Sequence, residues 1–389
     1  MAKKVEEQDT AAIIYQITED SLRRKSNIYC ETPYCSPDSK YFVFAQVNPQ
    51  YEANHCEFVI CEIGTWKMYV AARGESTNAD PNPKKDGGPW SLNSQVTRQG
   101  MFYFRRDAGG GAEELIKLDL TSGKTEVACS FSSRLPLPKS GTISPDGRLY
   151  AFGMDMIGMG KEFKEFGIEL VDLETGAREV IDSDPYLVNP HTQFDFIKGR
   201  QLLIQHNRGA IIDETGNMIR LAGPEGGTLY ILDIAEGKRT PLKVGKPYTT
   251  NITGHEAWIG NTKEVLFSVI ARDEFSPERG NLLTIKAGEE ARVVSRGYSF
   301  NHVGTSVCGR FYCSDDWRNG DIVIGSIVTG KCRVLCHSKS SLGRMQNTHP
   351  HGYLTPDLKW VIFNSDRTGI SQVYAAKVPE GMIEELEEE

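Results

Sequence analysis

Four of the chain's eight histidines recur at a nearly constant interval. The intervals are 49, 47 and 47 residues, and the histidines are His206, His255, His302 and His349. A repeat of about 40–50 residues is typical of one blade of a β-propeller, and residues one repeat apart occupy equivalent places in successive blades. Imidazoles bind metals and exchange protons near neutral pH. The spacing therefore predicts a functional site at one end of a central channel.

Two more polar side chains accompany the last of these histidines. In RMQNTHPHGY, Gln346 and His351 lie within three residues of His349 and just before a predicted strand, and His302 lies one repeat earlier. Residues at i and i+2 of an extended segment project the same way. We therefore predict a metal site formed by His302, Gln346, His349 and His351. An H-x-H pair alone is common and more often means two hydrogen-bonded histidines, and the histidine one repeat away is what favours a metal.

Three nitrogens and one amide oxygen make an unusual set for structural zinc, which prefers thiolates. The set favours a divalent ion with open coordination positions, Mn²⁺ or a related ion. His255, in ITGHEAW, lies one repeat before His302 and has no second histidine beside it. It is therefore a better candidate for a general base than for a ligand. Glu256 is expected either to orient His255 or to face solvent, and Trp258 to pack in the core or to form a sugar platform.

Five other side chains are candidates for substrate binding. They are His191 in NPHTQ, His206 and Arg208 in IQHNRG, Arg318 in SDDWRNGD, and Tyr353 in HGYL. Arginine holds carboxylates well, although an arginine at the surface or in a turn also explains these positions. Asp315 and Asp316 are carboxylates expected either near the metal or in a cap of the SDDW turn.

The elements that must position these residues repeat seven times. Each repeat has a turn rich in Gly, Asp or Pro, a short apolar strand, and a second strand that ends in another turn. The first strands occur in SPDSKYFVFAQ, RQGMFYFRRD, SPDGRLYAFGMD, IKGRQLLIQHN, NTKEVLFSVI, VCGRFYCSDD and TPDLKWVIFNSD. Ser-Gly, Thr-Gly and Glu-Gly in the second turns supply the positive φ of tight hairpins. Seven repeats with room for four strands each predict an all-β, seven-bladed propeller in a single domain.

The predicted propeller spans residues 26–380. Residues 1–25 are expected to be flexible or to supply the strand that closes the last blade, and residues 381–389 to form a solvated acidic tail.

Composition excludes some classes of protein. The net charge of −8 argues against nucleic-acid binding, and no apolar run is long enough for a membrane helix. The nine cysteines show no C-x-x-C pair, and the chain starts without an apolar signal segment. We expect reduced thiols and a cytoplasmic location. The sequence gives no prediction of oligomeric state.

The segments TGHEAW, FNHVGTSVCGRFYCSDD and QNTHPHGYLTPDLKWVIFNSDRTGISQVY resemble the oligogalacturonate lyase family. Members of this family are seven-bladed propellers that cleave short pectic uronates by β-elimination. The resemblance implies manganese bound by His302, Gln346, His349 and His351, and His255 as the base that removes the C5 proton. It further implies an acidic oligosaccharide substrate and a cytoplasmic enzyme of carbohydrate metabolism.

The sequence departs from the family in two places. The family carries an arginine at the start of a fourth-blade strand, where this chain reads GGTLYILDI with Gly227 and Thr228, and the SNIYCETPYCSPDS segment of the first blade also differs. A lyase for another uronate linkage, for instance one containing glucuronate, therefore stays open.

Other function classes also stay open. One is a non-catalytic propeller that binds partners; another is a metal-dependent isomerase that acts on the same acidic proton. A serine hydrolase is disfavoured because the sequence contains no G-x-S-x-G motif.

Overall fold

The structure is a computed structural model that describes residues 2–48, 50, 55–75, 95–131, 141–156, 165–213 and 218–388. Seven antiparallel sheets follow one another along the chain. The predicted seven-bladed β-propeller is confirmed.

Blades 1 to 3 each consist of four strands in chain order. Blade 1 contains β3 (Lys25–Ser26), β4 (Tyr41–Gln46), β5 (His55–Glu62) and β6 (Met68–Glu75). Blade 2 contains β7 (Gln95–Val96), β8 (Met101–Gly109), β9 (Ala112–Asp119) and β10 (Thr125–Phe131). Blade 3 contains β11 (Gly141–Ile143), β12 (Leu149–Asp155), β13 (Phe166–Asp172) and β14 (Arg178–Asp184).

Blade 4 carries an inserted hairpin. Its sheet contains β15 (Gln193–Phe194), β16 (Gln201–Asn207), β19 (Gly227–Asp233) and β20 (Lys238–Pro241). The hairpin consists of β17 (Ile211–Ile212) and β18 (Met218–Arg220). It lengthens this blade between the second and third strands of the sheet.

Blades 5 and 6 return to the simple pattern. Blade 5 contains β21 (Ile252–Trp258), β22 (Glu264–Val269), β23 (Leu282–Lys286) and β24 (Arg292–Ser295). Blade 6 contains β25 (Phe300–Thr305), β26 (Phe311–Asp316), β27 (Asp321–Ser326) and β28 (Cys332–His337).

Blade 7 joins the two ends of the chain. It contains β29 (Tyr353–Leu354), β30 (Trp360–Ser365) and β31 (Gln372–Lys377), followed by β2 (Ile13–Gln16) and β1 (Lys3–Glu7) from the N-terminal segment. Strand β2 pairs antiparallel with β31. Of the two expectations for residues 1–25, the structure shows the blade-closing strand. Strand β2 covers the edge of β31, which would otherwise be unpaired.

Local hydrogen bonds explain the recurring Ser/Thr-Pro-Asp turns. In blade 7 the Thr355 hydroxyl donates to the Asp357 carboxylate at 2.7 Å and accepts the Trp360 backbone N–H at 3.1 Å. Ser36 does the same in blade 1, where its hydroxyl accepts the Tyr41 N–H at 3.0 Å. These side chains replace backbone partners in the turn, and so the turn sets the start of the next apolar strand.

The first strand of each blade is the innermost. Strand β21 contacts β25, and β25 contacts β29, so the starts of blades 5, 6 and 7 meet near the channel. Apolar side chains of neighbouring blades pack between the sheets, for example Phe58, Phe102 and Phe104 from blades 1 and 2. The polar segments before the first strands are thereby brought together at one end.

The acidic C-terminal segment differs from its expectation. Residues Met382–Glu387 form a short helix, α1, whose Met382 and Leu386 are buried. The Arg333 guanidinium pairs with the carboxylate of Glu385. The segment packs on the propeller because two apolar side chains face the core while the glutamates remain outside. Among the described residues, no helix is long and apolar enough to span a membrane.

Candidate active site

Three histidines converge at the channel end of blades 6 and 7. His302 lies on β25, and His349 and His351 lie just before β29. One ring nitrogen from each falls within 4.8 Å of the other two, and all three residues are buried. In the part of the chain that is described, no other group of three His, Cys, Asp or Glu residues meets this criterion.

The two histidines of blade 7 do not belong to a regular extended segment, as the i, i+2 argument assumed. A short 3₁₀ turn, Gln346–Thr348, precedes His349, and His351 has a positive φ of 44°. The ring centroids are nonetheless only 5.6 Å apart. The irregular backbone, rather than strand geometry, turns both rings toward His302.

Hydrogen bonds to one nitrogen determine which nitrogen keeps its lone pair in two of these rings. The Nδ1 of His302 lies 2.7 Å from the Oδ2 of Asp315, and Asp315 Oδ1 also accepts the His302 backbone N–H at 2.9 Å. The Nε2 of His349 lies 2.8 Å from the Gly343 carbonyl oxygen, which can only accept, so this nitrogen carries the proton. His302 Nε2 and His349 Nδ1 are therefore left with lone pairs. Partners that orient ligating histidines in this way are typical of metal sites.

The buried polar atoms here lack partners. His349 Nδ1, both ring nitrogens of His351 and the amide oxygen of Gln346 are buried and accept no hydrogen bond. Each unsatisfied buried group costs about 1–3 kcal/mol. Burial, followed by the charge of His302, lowers the pKa of His349 and holds the pKa of His351 well below its usual range. Neutral imidazoles and a free amide oxygen fit a divalent cation.

His255 stands beside this cluster on β21. Its ring centroid is 4.2 Å from that of His302. The pairing of β21 with β22 shifts between Ile252 and Glu256, and such a bulge re-aims the side chains within it. Burial, then the neighbouring charge of His302, holds the pKa of His255 well below its usual range. The neutral imidazole is therefore the favoured form of His255.

A cavity of about 390 Å³ opens beside these residues. It is lined by Tyr29, Asn189, His191, Gln205, Asn207, Leu221, Ala222, Gly227, Asn251, Ile252, Thr253, Gly254, His255, Ile270 and Gln346. The side-chain oxygens of Gln205 and Asn251 are buried without a hydrogen-bond partner. This described lining is rich in amides, which suit sugar hydroxyls, and contains no lysine or arginine.

A second cluster, Glu31–His191–Glu256, borders the same cavity. The Nδ1 of His191 lies 3.4 Å from Glu31 Oε1 and 3.7 Å from Glu256 Oε1. Burial raises the pKa of Glu256 to about 8, against the opposing charge of His191. Burial lowers the pKa of His191, but the nearby carboxyl groups of Glu31 and Glu256 outweigh it and raise that pKa. Glu256 is fully buried, so it does not face solvent, and its carboxyl group contacts His191.

The fourth histidine of the spacing pattern does not join the ring. His206 lies on β16, the second strand of blade 4, and its Nε2 contacts Asp184 at 2.9 Å. His191, just before the first strand, occupies the equivalent place instead. Both His191 and His351 follow a proline and have a φ of 44°. The carbonyls of Pro190 and Pro350 accept backbone N–H groups of the second strands in their respective blades.

The other predicted substrate-binding residues have structural partners. Arg208 donates to the backbone carbonyls of Gly226, Lys246 and Glu225, and so braces a loop. Arg318 is engaged by the Asp316 carboxylate and the Gly297 carbonyl.

Tyr353 and Thr228 are likewise accounted for. Tyr353 is buried in the core with its ring 6.0 Å from that of Tyr34. Thr228 donates its hydroxyl to the Val244 carbonyl at 2.6 Å. The indole of Trp258 donates to the Gln193 carbonyl inside the core, which is the packing role rather than the sugar platform.

Three residues near the site were not singled out by the sequence. Tyr29 lies 4.9 Å from His351 between ring centroids, Trp317 lies 4.9 Å from His349, and Glu31 contacts His191. Tyr29 and Glu31 belong to SNIYCETPYC of blade 1, the segment that departs from the family. Tyr29 and Glu31 follow β3 and Trp317 follows β26, so a search of the residues before each first strand would not have found them.

Solved structures with the same fold are known. An oligogalacturonate lyase in complex with manganese has a TM-score of 0.73 to this chain at 14% sequence identity, with 98% of this chain and 97% of that chain covered. The oligogalacturonate lyase from Vibrio parahaemolyticus has a TM-score of 0.69 at 16% identity, with the same coverage. The chain has the fold of these lyases.

Other propellers are less similar. The Swd1 β-propeller domain from Myceliophteria thermophila has a TM-score of 0.52 at 15% identity and covers 92% of this chain and 100% of its own. No protein-family profile and no curated protein matches the sequence. At such identities the likeness establishes the fold, and the chemistry has to be argued from the side chains.

Proposed function

We propose that this chain is a metal-dependent lyase that cleaves short uronic-acid oligosaccharides by β-elimination. The observation that carries the proposal is the convergence of three buried imidazoles whose donor atoms lie within 4.8 Å, beside His255 on the wall of a cavity. The fold supports it, since one solved oligogalacturonate lyase of this fold is a manganese complex. A propeller that only binds partners has no need of four neighbouring imidazoles at one end of its channel.

The proposed cofactor is Mn²⁺ or a related divalent ion, held by His302, His349, His351 and the amide oxygen of Gln346. When bound, such an ion supplies Lewis-acid stabilisation of the negative charge that develops on the uronate carboxylate. Asp315 and the Gly343 carbonyl orient two of the imidazoles for this role.

His255 is the proposed base. Its Nδ1 lies 3.1 Å from the Thr253 hydroxyl, which also contacts the Ser268 hydroxyl. If Thr253 donates to Ser268, its oxygen accepts the Nδ1–H of His255 and leaves Nε2 with the lone pair. Nε2 then removes the C5 proton, the C–H electron pair forms the C4–C5 double bond, and the C4–O4 bond breaks to leave a 4,5-unsaturated product.

The proposed reaction requires a uronate, and the cavity leaves its linkage to be tested. Because the described lining contains amides and no lysine or arginine, it suits few carboxylates and many hydroxyls. The side chain of Thr228, which stands where the family has an arginine, is bonded to a carbonyl and offers no charge. A linkage that contains glucuronate is therefore the second candidate, beside oligogalacturonate.

The proposed setting is a reducing, cytoplasmic one. All nine cysteines are free thiols in the structure, six of them buried. This supports a compartment in which disulfides do not form.

The test is ultraviolet absorbance of the 4,5-unsaturated product. Protein loaded with Mn²⁺ is mixed with galacturonate, glucuronate and rhamnose–glucuronate oligosaccharides, with and without EDTA. A rise that EDTA abolishes is the expected result, and the responding oligosaccharide identifies the linkage. No rise on any uronate with metal bound would overturn the lyase assignment, and an isomerised sugar in the product analysis would replace it.

A further inference from the structure

The cavity holds a second histidine that the base and the metal leave unused. His191 and His255 both line it, and each ring centroid lies 6.4 Å from that of Tyr29. The elimination requires two proton transfers, one from C5 and one to the oxygen that leaves C4. We propose that His191 is the catalytic acid that protonates the leaving oxygen, an inference that rests on the proposed lyase function.

The surroundings of His191 are those of a proton donor. Its Nδ1 faces the carboxyl groups of Glu31 and Glu256 at 3.4 and 3.7 Å and is itself fully buried. The residue as a whole is 8% exposed. The side chain is 7% exposed, and His191 lines the cavity. A carboxylate on one nitrogen stabilises the imidazolium and leaves the other N–H to be donated.

Charge balance assigns the protons within the Glu31–His191–Glu256 cluster. One imidazolium compensates one carboxylate, so the second buried carboxyl group is stable only in its protonated form. Glu256 is the more deeply buried of the two, with a fully inaccessible side chain against 16% exposure for Glu31. A proton on Glu256, whose pKa burial raises to about 8, leaves the imidazolium of His191 with a single carboxylate to compensate it.

His191 and His255 are thus driven in opposite directions by their environments. His191 faces two carboxyl groups, at 3.4 and 3.7 Å, whereas the ring of His255 lies 4.2 Å from the imidazole of His302 between centroids. Two titratable groups separated in this way within one site are the pattern of an acid and a base. The phenol of Tyr29 also lines the cavity, but it is a poor proton donor because burial raises its pKa well above the usual range.

The proposed step balances. His255 takes the C5 proton, the C5–H pair becomes the double bond, and the pair of the broken C4–O4 bond goes to O4. His191 Nε2 gives its proton to O4 and becomes neutral, while His255 has become the imidazolium. Proton exchange with solvent restores both residues, and no oxidant or other reactant is needed.

A leaving-group comparison tests the acid. The wild type and His191→Gln are assayed on a uronic-acid disaccharide, whose leaving alkoxide needs a proton, and on the matching 4-O-nitrophenyl uronate, whose leaving phenolate does not. General acid catalysis contributes about 10²–10⁴-fold. We expect a loss of kcat in that range on the disaccharide and less than about tenfold on the aryl substrate. Equal losses on both substrates would show a positioning or structural role and overturn the proposal.

A second variant guards against misfolding. Because His191 has a φ of 44°, His191→Gly relieves the backbone and opens a space of imidazole size. Added imidazole is expected to restore activity on the disaccharide, and absence of rescue in folded, metal-loaded protein would count against the acid. His337→Gln is the matched control, since His337 is also paired with a carboxylate, Asp321, but lies away from the cavity. Its activity should stay within about twofold of wild type.

The charge of His191 supplies a readout independent of turnover. In wild-type protein labelled with ¹⁵N-histidine, the His191 nitrogens should show an imidazolium at pH 7, and a neutral ring would overturn the proposal whatever the activity. If the wild type cleaves neither substrate, the acid assignment falls together with the lyase. A cationic His191 in that case would show that the proposed reaction is wrong although His191 is protonated beside Glu31 and Glu256 as inferred.

Discussion

His302 and Asp315 face each other on neighbouring strands of blade 6, and one carboxylate holds both N–H groups of the histidine. Asp315 accepts the ring N–H at 2.7 Å and the backbone N–H at 2.9 Å, and both side chains are at most 2% exposed. The pairing of β25 with β26 shifts between Phe300 and Val303, the part of the strand that holds His302. The bulge and the carboxylate together fix the direction in which Nε2 points.

We predict that Asp315→Asn weakens metal binding. An asparagine amide has one acceptor oxygen and no charge, so it cannot accept strongly from both the ring N–H and the backbone N–H of His302. The ring therefore loses its fixed orientation and some basicity. Loss of such a partner typically costs 10–100-fold in metal affinity, which competition with a chelator measures.

Asp321→Asn is the matched control for this prediction. Asp321 lies in the same blade and contacts the Nδ1 of His337 at 2.8 Å, but His337 is not in the cluster. Unchanged affinity is expected there. An equal loss in both variants would mean that Asp315 acts through the stability of the blade.

Removal of the imidazoles should separate the ligands from the base. His349→Ala is expected to lose both bound metal and turnover, because it removes a buried nitrogen with no partner in the protein. His255→Ala is expected to abolish turnover while metal content, measured by elemental analysis, stays near the wild-type value. Full metal stoichiometry in a His302, His349 double variant would contradict the ligand assignment.

The propeller could be predicted because its signals are local. A Ser/Thr-Pro-Asp turn such as that of Thr355 fixes the following strand through its own side chains. Strand order then follows from repetition, since each sheet uses neighbouring segments of the chain. The closing strand β2 was only one of two alternatives, because the pairing of Ile14 with Ala376 joins the two ends of the chain and leaves no local signal in the sequence.

The spacing argument succeeded where blades have equal lengths and failed where they do not. Blades 5 to 7 keep the repeat, and their histidines converge. In blade 4 the inserted β17–β18 hairpin makes the repeat longer than in the other blades. The residue one regular interval before His255 is therefore His206 on the second strand, while His191 takes the equivalent place. The contact between His191 and Glu31 joins segments 160 residues apart and leaves no pattern in the sequence.

The closing strand should carry stability as well as closure. Ile14 is fully buried on β2, within the core of blades 6 and 7. Ile14→Ala is expected to destabilise the fold by about 2–5 kcal/mol, since it leaves a cavity in packed surroundings. Val5→Ala on the neighbouring strand β1, where Val5 is 41% exposed, should change stability by less than about 0.5 kcal/mol. Denaturant unfolding of both variants measures the difference, and similar losses would show that the N-terminal strands do not close the ring through Ile14.

The buried carboxyl group of Glu256 should make stability depend on pH. The pKa of Glu256 is raised to about 8 in the folded protein by burial, against 4.5 for an ordinary glutamate, and its ionisable neighbours include His191, Glu31 and Tyr29. The folded state therefore binds a proton that the unfolded state has released between these values, so this residue lowers stability as pH rises from about 4.5 to about 8. Above pH 8 the penalty is constant.

Glu256→Gln removes that dependence. Relative to wild type, the variant should gain stability between pH 5 and pH 9, by at most about 5 kcal/mol at 1.36 kcal/mol for each pKa unit. Melting temperatures of both proteins at a series of pH values give the difference, and His191→Gln measured beside them shows how much of it depends on the imidazolium. A difference between Glu256→Gln and wild type that does not change with pH would mean that Glu256 is ionised at neutral pH. His191 would then face two carboxylates.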